Sequence, residues 1–209
     1  MIYRNIKSYN LTIVMRSEFM KSKMRSVLIN LIIAVSLISI PSNSKAEDQI
    51  INNAANNLVS LKIMQGYEDG DLRLQNKINR SEFVTLVVKM LGYDSDTELD
   101  KYNLSFKDVS SKHWAYSYIK AAVKNKLAYG TNENKFNPVN NITYAEALTV
   151  MVRALGYEST LKGQWPQNVI DKATELGINN NIELQPNAQI TRGEMALIID
   201  NSVSIETMD

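Results

Sequence analysis

The 209-residue chain contains no cysteine and only one histidine, His113. Without cysteine it can form no disulfide, no thiolate zinc site and no cysteine nucleophile. A single histidine with no cysteine beside it also provides neither a usual zinc ligand set nor a Ser-His-Asp triad. We therefore expect no metal or other cofactor, and a fold that is held together by packing alone.

Long hydrophobic runs are also missing. The main apolar stretch, residues 27–40, has 14 residues, whereas a membrane-spanning helix needs about 20. Basic residues precede this stretch and Ser44-Lys45-Ala46 follows it, which is the order of a secretory signal peptide cleaved after Ala46. We predict that residues 1–46 are such a signal, and a retained membrane anchor is the alternative. Other possible starts within it are Met15, Met20 and Met24.

An excess of positive charge is absent once the predicted signal is removed. Residues 1–46 hold seven of the 23 Lys and Arg and one of the 22 Asp and Glu, which leaves 16 basic and 21 acidic residues and a net charge of −5. A negative protein does not attract nucleic acid or anionic lipid as a whole. We expect no nucleic-acid partner, and no membrane partner after cleavage, so any anionic partner must be held by a local site.

What the chain does contain is a short block written three times. Repetition over tens of residues predicts a supersecondary unit that is used several times. Asn or Thr followed three residues later by Glu predicts a capping box at a helix start, and the Ile before it predicts a hydrophobic staple. The three copies are Ile78-Asn79-Arg80-Ser81-Glu82-Phe83, Ile142-Thr143-Tyr144-Ala145-Glu146-Ala147 and Ile190-Thr191-Arg192-Gly193-Glu194-Met195.

Arg80 and Arg192 are the unusual members of this block. The helix dipole is positive at the N-terminus, so a cation there is unfavourable and an anionic group is welcome. Neither Arg has an evident stabilising role, and we interpret both as contacts for an anion. The competing interpretation is that they are solvated or paired with nearby acids. Tyr144 takes the same position in the second copy.

Each copy reads as a helix, a loop and a second helix. The block opens an amphipathic helix that ends near Gly92, Gly156 or Asn201, and no alternating strand pattern competes. One helix pair cannot bury both of its faces, whereas three pairs can share a centre. We predict an all-α, pseudo-threefold domain with clefts where copies meet. The predicted segments are repeats at 47–93, 106–157 and 161–203, a linker at 94–105 and a tail at 204–209.

Several motifs in a fixed order resemble the S-layer homology domain. They are Phe106-Lys107-Asp108-Val109, His113-Trp114-Ala115, Gly130, Phe136-Asn137-Pro138 and the repeated block, with Gly66-Tyr67-Glu68-Asp69-Gly70 in the first copy. The resemblance covers roughly residues 50–203. It implies a three-pronged spindle around a central helix bundle, secreted to the bacterial cell wall or surface. Such domains bind secondary cell-wall polysaccharide without catalysis, at a sugar bearing an acidic ketal pyruvate.

The resemblance also implies the ligand-binding residues. Carried over by motif, they are Arg80, Asp108, Trp114, Arg192, Gly66 and Gly130. The third copy has Trp165 without the preceding Asp-Val. We therefore expect one complete groove, in which Arg80 acts with Asp108 and Trp114.

Structural explanations compete with these roles. Asp108 is also suited to capping the next turn, Trp114 to the core, and Gly66 and Gly130 to positive φ angles in their loops. His113 is expected at the surface or in a cap. At the level of the chain, alternatives are a protein-interaction scaffold, with surface-layer or other wall proteins as partners, and a wall-glycan enzyme.

Overall fold

The computed structural model describes residues 44–208, and most of the predicted signal lies outside this range. Within it the regular structure is helical and contains no β-strand, which confirms the all-α prediction. No helix of the described residues is long and apolar enough to cross a membrane. The α-helices are α1 (Ser44–Ser60), α2 (Arg80–Met90), α3 (Tyr116–Lys124), α4 (Tyr144–Ala154), α5 (Gln167–Leu176) and α6 (Arg192–Ser202).

The three block helices, α2, α4 and α6, begin with the predicted capping boxes. In α2 the Asn79 side chain accepts from the Glu82 N–H at 2.9 Å, and the Glu82 carboxylate accepts from the Asn79 N–H at 3.0 Å. The Glu of the block is thus used at all three helix starts. This satisfies two of the N–H groups that a helix start leaves without a partner.

The ends of these helices match the prediction in two copies of three. Gly92 and Gly156 follow α2 and α4 with φ of 70° and 83°, a conformation that favours glycine. Asn201 is not a terminal residue, because α6 continues to Ser202. The Asn201 side chain donates instead to two carbonyl groups of the preceding loop.

The isoleucines that precede the caps bind one another through their backbones. Ile78 N–H donates to Ile190 O at 3.1 Å, Ile142 N–H to Ile78 O at 3.1 Å, and Ile190 N–H to Ile142 O at 3.2 Å. Each copy therefore donates to one other copy and accepts from the third, so the three bonds form a closed ring. All three side chains are fully buried. We call these bonds the isoleucine ring.

A second set of bonds joins each helix start to the loop of another copy. The N–H groups of Arg80 and Ser81 donate to the carbonyls of Asn140 and Pro138, at 2.9 and 3.1 Å. The first two N–H groups of α4 donate in the same way to the third loop, and those of α6 to the first loop. The first two N–H groups of every block helix are therefore satisfied by a neighbouring copy.

Helices from different copies also pack against each other. The block helix of one copy lies against the first helix of the next, α2 on α3 and α4 on α5. These junctions between a block helix and the next helix are the places where clefts are predicted.

The predicted tail packs back on the end of the second copy. Met208 N–H donates to Leu155 O at 2.8 Å, and the Tyr157 hydroxyl donates to Glu206 O at 3.1 Å. A side chain on Gly156 would overlap the Met208 carbonyl. Glycine here both ends α4 and admits the tail.

Since the copies are joined in a ring, a weakened cap in one copy is expected to destabilise all three. Replacement Thr143→Ala removes the α4 cap and should lower the free energy of unfolding by about 1 kcal/mol. Chemical denaturation followed by circular dichroism should still show a single transition. Replacement Thr131→Ala, in an exposed loop, is the control and should have little effect. A separate early transition for Thr143→Ala would contradict the coupling.

Candidate functional site

A groove of about 290 Å³ opens where the first loop, α2 and the start of α3 meet. We call it the first groove. It brings together three of the residues predicted to bind ligand, one from each copy. Its principal lining residues are Gly66, Tyr67, Lys89, Trp114, Tyr118 and Arg192.

Arg192 reaches this groove from the third copy and is only 7% exposed. Its Nε donates to Leu72 O at 2.9 Å, its Nη2 to Gln65 O at 3.5 Å, and its guanidinium carbon lies 5.0 Å from the Tyr67 ring centre. The prediction that this arginine has no stabilising role is therefore wrong, because it ties α6 to the first loop. Nη1 has no hydrogen-bond partner among the described residues, and its nearest carboxylate oxygen, on Glu82, is 3.9 Å away.

Trp114 lies at the mouth of the first groove and is 58% exposed, so it is not a core residue. The His113 ring stacks on it with 5.9 Å between ring centres. His113 Nδ1 accepts from the Ala115 N–H at 3.1 Å, so the imidazole holds the turn that precedes α3. The imidazole ring of His113 therefore supports the indole of Trp114 at the mouth of the groove.

Gly66 and Gly130 are required for space rather than for conformation. Neither has a positive φ, so that interpretation is wrong. A Cβ on Gly66 would lie 2.6 Å from Gly70 O, and one on Gly130 would overlap the Phe106 ring. The absent side chains therefore let each loop fold tightly. In the first loop this places backbone at the groove wall.

Arg80 makes the corresponding contact one junction further around the ring. Its Nη2 donates to Tyr129 O at 2.9 Å, and its guanidinium carbon lies 4.8 Å from the Phe136 ring centre. Burial lowers the pKa of the Arg80 guanidinium, and the Glu146 carboxylate opposes this shift. The ordinary pKa of an arginine is so high that the guanidinium remains charged.

Trp165 stands two residues before α5, as Trp114 stands two residues before α3, and it was not among the predicted site residues. It is 58% exposed, and its indole N–H donates to the Thr149 hydroxyl at 3.1 Å. Thr149 follows its capping Glu by three residues, as does Thr85 in the first groove. A Trp placed just before a helix was the available signal, but it lacked the preceding Asp-Val. We call Arg80, Tyr129, Gly130, Thr149 and Trp165 the second surface.

The predicted grouping of Arg80 with Asp108 and Trp114 is wrong, because Trp114 shares its groove with Arg192. Asp108 holds the loop of its own copy. Its two carboxylate oxygens accept from the N–H groups of Phe136 and Asn137, both at 2.8 Å. Contact between Asp108 and a ligand stays a prediction.

An anionic group was expected to be welcome at the starts of the block helices, but their N–H groups are not free to bind one. Those groups already donate to the neighbouring loops and to the cap residues. Attraction for an anion at these junctions therefore depends on side chains, above all on the arginines.

The third junction carries no arginine at this position. Tyr144 is 2% exposed, its hydroxyl accepts from the Asn179 amide at 3.0 Å and lies 3.5 Å from Ile182 O. Burial raises the pKa of the Tyr144 hydroxyl. Tyr144 thus joins α4 to the third loop, as the arginines do elsewhere, but as a neutral group.

The role of Asp108 as a loop clamp can be tested by stability. Replacement Asp108→Ala removes two hydrogen bonds to a charged acceptor and should lower the free energy of unfolding by about 2 kcal/mol. Thermal and denaturant unfolding measure this directly. Replacement Asp94→Ala removes an exposed carboxylate and serves as the control. Equal stability of the two variants would contradict the clamp.

Comparison with known proteins gives a consistent family. A middle cell wall protein of Brevibacillus brevis is 35% identical over 162 residues, which are 78% of this chain and 15% of that protein. A cell surface protein of Thermoanaerobacter kivui is 34% identical over 166 residues, 79% of this chain and 21% of that protein. A cellulosome-anchoring protein of Acetivibrio thermocellus is 28% identical over 156 residues, 67% and 35% respectively. The chain thus spans well under half of these relatives.

The profile of the S-layer homology domain matches residues 48–84, 105–148 and 161–196. Each of these segments contains one copy of the repeated block. The order of motifs, the helical fold and the profile agree, and the chain belongs to the S-layer homology domain family.

Proposed function

We propose that this chain is a secreted, non-catalytic module that attaches to an anionic, pyruvylated secondary polysaccharide of the bacterial cell wall. Its three repeats are arranged around a pseudo-threefold axis as a three-pronged spindle. The observation that carries the proposal is the first groove, in which a guanidinium, an exposed indole and a tight glycine loop come from three different copies.

The chemistry of the first groove suits an acidic sugar. Arg192 offers N–H groups for a carboxylate, and charge-assisted bonds of this kind are about twice as strong as neutral ones. The exposed indole of Trp114 offers a flat apolar face to a sugar ring. Gly66 lets backbone line the wall without a side chain in the way.

The second surface repeats the same elements with Arg80, Gly130 and Trp165. We therefore propose two ligand sites. The third junction is excluded from this proposal because Tyr144 is neutral and buried. At the third junction Ile50 stands in the place of the tryptophan, 16 residues before Gly66, as Trp114 stands before Gly130.

The names of the relatives support a place at the cell surface. They are a cell wall protein, a cell surface protein and an anchoring protein. The part that each shares with this chain is the repeat region, which supports attachment as its task. The absence of catalysis is supported by the block glutamates, since all three are bound into helix caps.

Attachment can be tested by co-sedimentation with purified cell-wall sacculi that bear their secondary polymer. The wild type should sediment with the sacculi, and removal of the polymer or of its ketal pyruvate should abolish this. Replacement Trp114→Ala should weaken binding about fivefold, since stacking on an aromatic ring is worth about 1 kcal/mol. Adding Trp165→Ala should remove most of the rest.

Replacement Val203→Ala removes an exposed apolar side chain outside both sites and should leave sedimentation unchanged. Undiminished binding by the double tryptophan variant would contradict the proposed sites. Equal binding to sacculi with and without the polymer would contradict the proposed function and favour a protein scaffold.

A further inference from the structure

The first groove contains a second cation, the ammonium group of Lys89. Lys89 lines the groove, is partly buried and lies seven residues after Glu82 on α2. Among the ion pairs of the described residues none involves Lys89. Its Nζ lies 5.8 Å from the Tyr118 ring centre.

The two cations stand at opposite ends of the groove. Arg192 Nη1 is 3.9 Å from Glu82 Oε1, in the first turn of α2, whereas Lys89 is in its last turn. Seven residues of α-helix correspond to a rise of about 10 Å. That length exceeds the distance across one sugar ring, so two separate acidic groups match the two cations better than one does.

Aromatic side chains also line the first groove. Trp114 lies two residues before α3 and Tyr118 lies in its first turn, and both line the groove. Tyr118 lies under the lysine. The groove therefore offers two aromatic surfaces, and Lys89 lies beside one of them.

The second surface shows that this arrangement is not repeated. Arg153 occupies the position that corresponds to Lys89, seven residues after its capping Glu146. Its Nε donates to Glu158 at 2.7 Å, and its guanidinium carbon lies 4.6 Å from the Tyr129 ring centre. The second cation of that surface is thus already neutralised.

We infer that the first groove binds two consecutive sugars that carry two separate anionic groups, one at Arg192 and the other at Lys89. The inference rests on the proposed function and specifies its ligand. The second surface, by contrast, binds a single acidic sugar. Lys89 also suits the C-terminus of α2 electrostatically, so the test must report binding rather than stability.

The experiment is calorimetric titration with two synthetic probes, a monosaccharide that carries one ketal pyruvate and a disaccharide of the same sugar that carries two. All proteins carry Trp165→Ala, so that the first groove dominates. The parent should bind the disaccharide more tightly. Replacement Lys89→Gln should weaken the affinity for the disaccharide about fivefold, which is the upper range for a partly exposed ion pair. It should change the affinity for the monosaccharide less than twofold. Replacement Lys89→Arg should retain the preference.

Replacement Lys101→Gln changes the net charge equally at an exposed position outside the groove and should have no effect. The inference is overturned if the parent binds both probes equally, if Lys89→Gln weakens both probes to the same degree, or if Lys101→Gln has the same effect as Lys89→Gln. If neither probe binds, the proposed function is overturned together with the inference. If the monosaccharide binds but the disaccharide has no advantage, only the inference is overturned.

Discussion

The structure depends on the isoleucine ring. Three buried backbone N–H groups, those of Ile78, Ile142 and Ile190, each have a carbonyl of another copy as their partner. A buried backbone group without a partner is costly, so removal of any one copy would leave groups of the other two unsatisfied. The capping boxes start immediately after these residues, and the groove arginines follow the caps. One ring therefore sets the position of the helix starts and of the arginines at both proposed sites.

The arginines combine a structural task with the binding task that we propose for them. At two junctions an arginine donates to a carbonyl of the neighbouring loop, and at the third Tyr144 holds the corresponding loop. The position is thus used for joining copies in every case. Only where it is arginine does it also bring a charge to the surface between them, and only there does an exposed tryptophan stand nearby. In the proposed function, a junction binds ligand only where arginine performs this common structural task.

The sequence was sufficient for the local elements and insufficient for their partners. Capping boxes, the glycine stops of α2 and α4, and the all-α class follow from short-range rules of helix formation, and these were predicted. The grouping of Arg80 with Trp114 was wrong because adjacency along the chain does not show that α6 returns to the first loop. The sequence also did not show why glycine is required at positions 66 and 130, because the atoms that exclude a side chain there come together only in the folded loop.

The three copies form one cooperative unit around the isoleucine ring, and native-state hydrogen exchange at the amides of Ile78, Ile142 and Ile190 tests this. We expect all three amides to exchange with the same free energy, equal to that of global unfolding. Replacement Thr191→Ala in the third copy should lower all three exchange free energies together by about 1 kcal/mol. Exchange of one amide at a distinctly lower free energy, or an effect of Thr191→Ala confined to Ile190, would contradict it.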